Sequence, residues 1–90
     1  MRENTVEKAL NRRCKEEKWL CLKMTAASGI PDRLLVLPGG RVVWVEVKRP
    51  GGKPRLLQEG YHKKLRGMGH PVFVVDSVDG VNELMENLSE

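Results

Sequence analysis

The sequence predicts a small α/β domain with the element order αβββαβα around a mixed sheet. Three observations carry this prediction: apolar residues recur at helical spacing over residues 5–17, two β-rich runs flank a Gly-Gly pair, and a second predicted helix leads into a continuous apolar run. A chain of 90 residues can bury only one core, so residues 1–90 are expected to form a single domain. Because a helix separates the third and fourth strands, no tight turn joins them, and the sheet is predicted to be mixed.

The first helix is predicted from about Thr5 to Glu17. Asn4, followed three positions later by Glu7, resembles a capping box at its start. The short apolar run over residues 19–24 predicts the first strand, and residues 25–29 resemble a loop. The apolar positions that indicate the helix are Val6, Ala9, Leu10 and Cys14.

A β-hairpin is the strongest local prediction. Residues 32–37 and 41–48 are rich in aliphatic and β-branched side chains, and Pro38-Gly39-Gly40 separates them as a turn. These two strands are therefore expected to be antiparallel neighbours. After a break that begins at Arg49, Pro54 suits the first turn of a second helix that runs to about Arg66.

The end of the chain predicts one more strand and a C-terminal helix. Residues 71–75 form a continuous apolar run, which is typical of a strand buried on both faces. Ser77 can then cap a last helix that runs through Leu88. No repeat or long linker interrupts this order of elements.

Composition limits the possible functions without selecting one. The formal net charge of +4 suits a polyanionic partner, although lysines and arginines are spread along the chain. No apolar run approaches the roughly 18 residues that span a bilayer, and the N-terminus shows no secretion signal. We therefore expect a cytoplasmic protein that has no membrane partner.

The two cysteines and the short length carry further expectations. Cys14 and Cys21 are seven positions apart and have no CxxC partner, so we expect reduced thiols rather than a zinc site or a disulfide framework. A domain of this size that also holds several charges in one site has little net stability. Self-association would bury additional surface, and a homodimer is expected.

Three charged residues of the predicted hairpin converge. Glu46 and Lys48 are two positions apart on one strand, so their side chains leave the same face of the sheet. The turn brings Asp32 opposite or diagonal to Glu46, and carboxylates about 5 Å apart at Cβ repel each other unless a cation lies between them. A hard divalent ion such as Mg²⁺ suits such a site, where a bound water and Lys48 could hydrolyse a phosphodiester.

An isolated Glu-x-Lys pair is more often a solvated ion pair on a strand, and this alternative applies to Glu46 and Lys48. Two neighbouring features favour a functional site. Asp32 follows Gly29-Ile30-Pro31, which predicts that a loop delivers it to the end of a strand, and a Gly-rich loop follows Lys48. All these features fall at one location in the predicted fold.

The chain resembles the virus-type replication-repair nucleases, the VRR-NUC family of the PD-(D/E)XK nuclease superfamily. The resemblance rests on the motif Gly29-Ile30-Pro31-Asp32, the short hairpin, the motif Val45-Glu46-Val47-Lys48 and a glutamine, Gln58, on the following helix. It extends from the first helix through Val75. It implies a restriction-endonuclease-like αβββαβ core with a mixed sheet and a C-terminal helix. We expect the protein to act in a bacterial or phage-infected host cell.

The resemblance also implies roles for individual residues. Asp32 and Glu46 would bind one or two Mg²⁺ or Mn²⁺ ions, with the Val47 carbonyl as a further ligand, and Lys48 would assist the attacking water. A glutamate of the first helix would face the same site. The family's helix pattern matches Glu7, and Glu3 is the alternative.

Glu7 and Gln58 each have a second interpretation. Glu7 could serve only as the capping-box glutamate, yet it shares a helix face with Leu10 and Cys14, where an unpaired carboxylate would be costly and a nearby metal would relieve that cost. Gln58 could be an ordinary polar residue on an exposed helix face. Its spacing from His62 would instead let it face the sheet and hydrogen-bond Lys48 or a water.

Other polar residues are assigned with less specificity. The basic residues of the second half of the chain are interpreted either as phosphate contacts or as a solvated helix face, and none is expected to read bases. His62 and His70 lack metal-ligand spacing and are expected to be surface or structural residues. The basic residues concerned are Lys53, Arg55, Lys63, Lys64 and Arg66.

Together these features predict a metal-dependent, structure-selective endodeoxyribonuclease, since a domain this small has no added module for reading sequence in the major groove. By analogy the substrate is branched DNA, and the activity that of a Holliday-junction resolvase in DNA repair. A flap or duplex nuclease would use the same residues. A non-catalytic DNA-binding module is disfavoured because paired carboxylates would hinder phosphate binding, and a protein-interaction domain has no clear apolar signature.

Overall fold

The computed structural model describes residues 3–90, with side chains from Asn4 onward. Three helices and four strands follow one another in the predicted order αβββαβα. None of the helices in this part of the chain is long and apolar enough to cross a bilayer. The elements are α1 Glu3–Glu17, β1 Leu20–Lys23, β2 Arg33–Leu37, a 3-10 turn Pro38–Gly40, β3 Arg41–Val47, α2 Leu56–Gly67, β4 Val72–Val75 and α3 Val78–Ser89.

The four strands form one mixed sheet in the order β1-β2-β3-β4, which confirms the predicted architecture. The first three strands are antiparallel neighbours, and β4 joins β3 in parallel after the crossover through α2. Gly39 and Gly40 have φ angles of 79° and 74°, a left-handed conformation that glycine adopts without a steric penalty. This turn fixes the register of the hairpin, in which Arg33 pairs with Val45.

The hydrophobic core lies between one face of the sheet and the helices α1 and α3. Alternate residues of β3 point into it, and α2 packs on the opposite face of the sheet, so the remaining side chains of β3 meet α2. Both cysteines are free thiols, as expected. The buried core residues include Val6, Leu10, Leu35, Val43, Val45, Val47, Val75, Val81, Met85 and Leu88.

Three local predictions are wrong. Asn4 lies inside α1 rather than at its N-cap, so the predicted capping box with Glu7 does not form. Pro54 precedes α2, which begins at Leu56 after an extended Arg55. The strand predicted to be buried on both faces is an edge strand, β4, whose two central residues are 38% and 40% exposed because it has a neighbouring strand on one side only.

Candidate active site

A buried glutamate occupies the centre of the site. Glu46 is completely inaccessible to solvent, and side chains from two elements surround its carboxylate. Oε2 lies 3.3 Å from the amide nitrogen of Gln58 and 3.8 Å from Nζ of Lys48, while Oε1 lies 3.2 Å from Nε2 of His62. A buried carboxylate requires such partners, because burial without them would be very costly.

Lys48 shares the face of the sheet with Glu46, as their spacing predicts. Only 12% of its side chain is exposed, so the alternative of a solvated surface ion pair is wrong for these two residues. The Lys48 ammonium donates a hydrogen bond of 2.9 Å to the amide oxygen of Gln58. The cation is thereby held at the end of β3, beside the buried carboxylate.

Pro31 ends the pairing of β2 with β3. Even-numbered residues of β3 direct their backbone groups to β4, so odd-numbered residues face β2, where Val45 pairs with Arg33. The next residue of that series, Val47, would pair with residue 31. Proline has no N–H, so Pro31 cannot donate to the Val47 carbonyl.

Asp32 binds the backbone of Val47 through its side chain, just beyond the last pair of residues that β2 and β3 share. Its Oδ2 accepts a hydrogen bond of 2.8 Å from the Val47 N–H, which anchors the aspartate side chain to the end of β3. Continuing the register by one residue beyond Arg33 places Asp32 opposite Glu46, on the same face of the sheet. The Pro-Asp dipeptide thus brings together two carboxylates and a strand-end carbonyl.

Gln58 connects α2 to the strand residues through both ends of its amide. The amide oxygen accepts from Nζ of Lys48 and from the backbone N–H of Arg55 at 2.8 Å, and the nitrogen donates to Glu46. The interpretation of Gln58 as an exposed polar residue is therefore wrong. This single side chain fixes the start of α2 and the relative positions of Lys48 and Glu46.

His62 belongs to this site, contrary to its assignment as a surface or structural residue without a role. It is only 3% exposed and contacts Glu46. Burial lowers the pKa of His62, and the charges of Arg66 and Lys48 lower it further, against smaller opposing effects of Asp32 and Glu59. A neutral imidazole must donate through Nε2, because the carboxylate can only accept. The four-residue spacing from Gln58 on α2 was the signal that could have identified it.

We expect His62→Ala to lower the free energy of unfolding by about 1–3 kcal/mol, because it removes a donor from a buried carboxylate. Urea unfolding followed by circular dichroism measures this loss. His70→Ala is the matched control, since His70 is half-buried, and it should cost less. Equal losses in the two variants would show that the contact of His62 with Glu46 contributes nothing specific.

Glu7 lies in a different environment from the other predicted site residues. Its Oε2 accepts from Nε and Nη2 of Arg33, each at 3.1 Å, and Arg33 points to the face of the sheet that carries Val45. The ion pair with Arg33 relieves the cost of placing Glu7 on this helix face. The side chain of the alternative, Glu3, lies outside the described residues. A metal-binding role for Glu7 stays a prediction.

The oxygen donors at the end of β3 fit a hard divalent cation. The carboxylates of Asp32 and Glu46 and the Val47 carbonyl are the ligand types that Mg²⁺ and Mn²⁺ prefer. Among the side chains from Asn4 to Glu90, no group of three or more His, Cys, Asp or Glu residues forms a ready-made metal cage. A site of two carboxylates and one carbonyl would leave the remaining coordination positions to water and substrate.

The predicted phosphate-binding residues are exposed on the loop before α2 and along α2 itself. Arg66 also has a structural contact, because its guanidinium donates a hydrogen bond of 2.6 Å to the Val72 carbonyl. Lys53 and Arg55 lie in the segment that joins Lys48 to Gln58. Their exposure is compatible both with phosphate contacts and with a solvated surface.

Comparison with known proteins identifies the family. A protein described as "Putative nuclease p44" from Acyrthosiphon pisum secondary endosymbiont phage 1 is 38% identical over 81 residues, which cover 88% of this chain and 87% of that protein. A solved structure described as "VRR_NUC domain" superposes with a TM-score of 0.87 at 36% identity, covering 93% of this chain and 94% of the other. This chain belongs to the VRR_NUC nuclease family.

No family model matches the sequence when it is compared with such models. The membership rests instead on these two similarities, over 88% and 93% of this chain, which confirm the resemblance and the restriction-endonuclease-like fold. The VRR_NUC similarity covers 93% of this chain. Its coverage of 94% of the solved domain also indicates that the two chains have nearly the same extent.

Proposed function

We propose that this VRR_NUC protein is a Mg²⁺- or Mn²⁺-dependent endodeoxyribonuclease that hydrolyses phosphodiester bonds. The observation that carries the proposal is the arrangement at the end of β3. There the buried Glu46 carboxylate lies beside the Lys48 ammonium, and the Asp32 carboxylate is tied to the Val47 N–H. A binding protein has no need of two carboxylates where a phosphate must approach.

Each residue of the site has a separate role in this reaction. Asp32, Glu46 and the Val47 carbonyl would hold the metal ion, which when bound polarises the phosphoryl oxygen and acidifies a water molecule. Lys48 orients the attacking water and neutralises the charge that develops on the phosphorane. Gln58 holds the Lys48 ammonium in place through the hydrogen bond of 2.9 Å, and His62 orients the Glu46 carboxylate.

Branched DNA is the proposed substrate, with Holliday-junction cleavage as the first choice. The exposed basic residues before and along α2 would contact phosphates without reading bases. A homodimer would present two active sites to the paired strands of a junction. Leu20 and Leu22 of the edge strand β1 are 57% and 42% exposed, which leaves apolar surface available for such an interface. The protein would act in the cytoplasm of a bacterial or phage-infected cell.

The decisive experiment compares the protein with its Asp32→Asn variant on labelled four-way junction, flap, duplex and single-stranded DNA. Each substrate is incubated with Mg²⁺, Mn²⁺ or a chelator, and products are resolved on denaturing gels. We expect paired symmetric nicks in the junction that require metal. The variant should lose more than about 100-fold in rate, because it replaces a metal ligand.

Asp79→Asn is the control for this comparison, since Asp79 is exposed in the first turn of α3. It should cleave like the unmodified protein. Preferential cleavage of flaps or duplexes would keep the nuclease and replace its substrate. Binding of DNA without cleavage in any metal would overturn the nuclease proposal in favour of a binding module.

A further inference from the structure

Two adjacent leucines at the start of α2 are exposed. Leu56 is 85% exposed and Leu57 is 61% exposed, and these are the two largest values among the leucines of the described residues. They directly precede Gln58, whose amide holds Lys48 and Glu46. The hydrophobic core does not explain this apolar pair beside Gln58, because neither side chain belongs to the core.

The position of Leu57 ties this pair to the other carboxylate of the site. A Cβ atom added at Gly29 would lie 2.9 Å from Cγ and 3.0 Å from the carbonyl oxygen of Leu57, so the loop that delivers Asp32 packs directly against this leucine. Gly29 also has a φ of 84°, which favours glycine. Leu57 therefore lies where the loop of Asp32 meets the helix of Gln58, and Leu56 precedes it at the start of that helix.

The surroundings of the leucines are cationic. The ten residues from Lys48 to Leu57 contain three further basic residues, Arg49, Lys53 and Arg55, and no acidic residue. All three are exposed. The basic side chains can pair with phosphates, and the leucines can contact the faces of bases. This surface is therefore complementary to nucleic acid in both charge and polarity.

We infer that Leu56 and Leu57 form an apolar wedge that packs against an unstacked base beside the scissile phosphate. The inference rests on the proposed nuclease function and adds a source of substrate selectivity to it. Apolar side chains that enter a base step must first unstack it, and the cost is smallest where bases are already unpaired or unstacked. A wedge at the active site therefore favours branched over regular duplex DNA.

The two leucines have different parts in this device. Leu57 packs on Gly29 and supports the wedge, whereas Leu56 is the more exposed and forms its tip. Replacing Leu56 should therefore change the contact with the base without disturbing the loop of Asp32. Leu56→Ser is the variant of choice, and Met68→Ser is its matched control, because Met68 is 69% exposed just beyond the other end of α2.

The test measures cleavage of junction and duplex DNA together with base unstacking. A 2-aminopurine placed at the branch point of the junction reports unstacking by fluorescence. This arm is measured in the presence of chelator and needs no cleavage. We expect Leu56→Ser to lower the ratio of junction to duplex kcat/KM by about tenfold, and to abolish the fluorescence rise. Met68→Ser should leave both readouts unchanged.

The outcomes separate this inference from the proposed function. If the unmodified protein cleaves no DNA, the nuclease proposal fails, and the fluorescence arm still decides the wedge. If the protein cleaves but Leu56→Ser behaves like Met68→Ser in both readouts, the wedge is overturned. Light scattering adds a third arm by comparing the molar mass of Leu56→Ser with that of the unmodified protein. A molar mass half as large would show that the leucines pack against a second copy of the chain, and this result would also overturn the wedge.

Discussion

Replacing Glu46 with glutamine should abolish cleavage and leave the fold intact. The substitution removes the charge that would bind the metal, and we expect the rate to fall by more than about 100-fold. The amide keeps the shape of the side chain. Its oxygen can accept from Gln58 and Lys48, and its nitrogen can donate to His62, which is neutral and can switch tautomer. The free energy of unfolding should therefore stay within about 1 kcal/mol of its original value.

The cleavage rate is measured at saturating Mg²⁺ or Mn²⁺. The free energy of unfolding is measured by urea unfolding of the same preparation. Glu83→Gln is the control, since Glu83 is an exposed glutamate on α3, and it should change neither. An active Glu46→Gln enzyme would remove Glu46 from the set of metal ligands. An unfolded variant would show instead that the charge of this carboxylate is required for the packing of α2 on the sheet.

Replacing Lys48 with alanine should lower kcat by about 100- to 1000-fold, the range found when one preorganised electrostatic donor is removed. Gln58 would lose the ammonium that donates to its amide oxygen, and the Glu46 carboxylate would lose its nearest cation. Because Lys48 acts on the reacting phosphate rather than on remote parts of the DNA, KM should change far less than kcat.

Lys53→Ala separates this effect from a general loss of positive charge. Lys53 lies five positions further along the same loop and is exposed, so its removal should weaken DNA binding and reduce the salt dependence without lowering kcat. Single-turnover rates at saturating protein distinguish the two variants. If both lysine variants lose the same activity and recover it at low salt, Lys48 contributes only to binding.

The tertiary structure explains why a conspicuous dipeptide is needed. Proline at position 31 has no N–H to donate to the Val47 carbonyl, and the Val47 N–H donates to the Asp32 side chain. Neither a proline nor an aspartate at the end of a strand would create a cation site alone. Together they end the strand pairing and place a carboxylate beside a carbonyl, which is the requirement for a small oxygen-rich cation site.

The sequence by itself determined the order of the elements and the site on the hairpin. Alternation along β3 and the Gly-Gly turn fix a local register, and this register is enough to bring Asp32, Glu46 and Lys48 to one face. The spacing of Gln58 on α2 was likewise sufficient to point it at the sheet. These relations hold because period-two and helical spacing are properties of the backbone.

Only the tertiary structure decided the roles of His62, Glu7 and β4. The burial of His62 depends on how α2 lies against the sheet, and the pairing of Glu7 depends on Arg33, which is 26 positions away. The exposure of β4 follows from its place at the sheet edge. Local patterns specify which way a side chain points, whereas its partner and its burial are set by packing between elements distant in the chain.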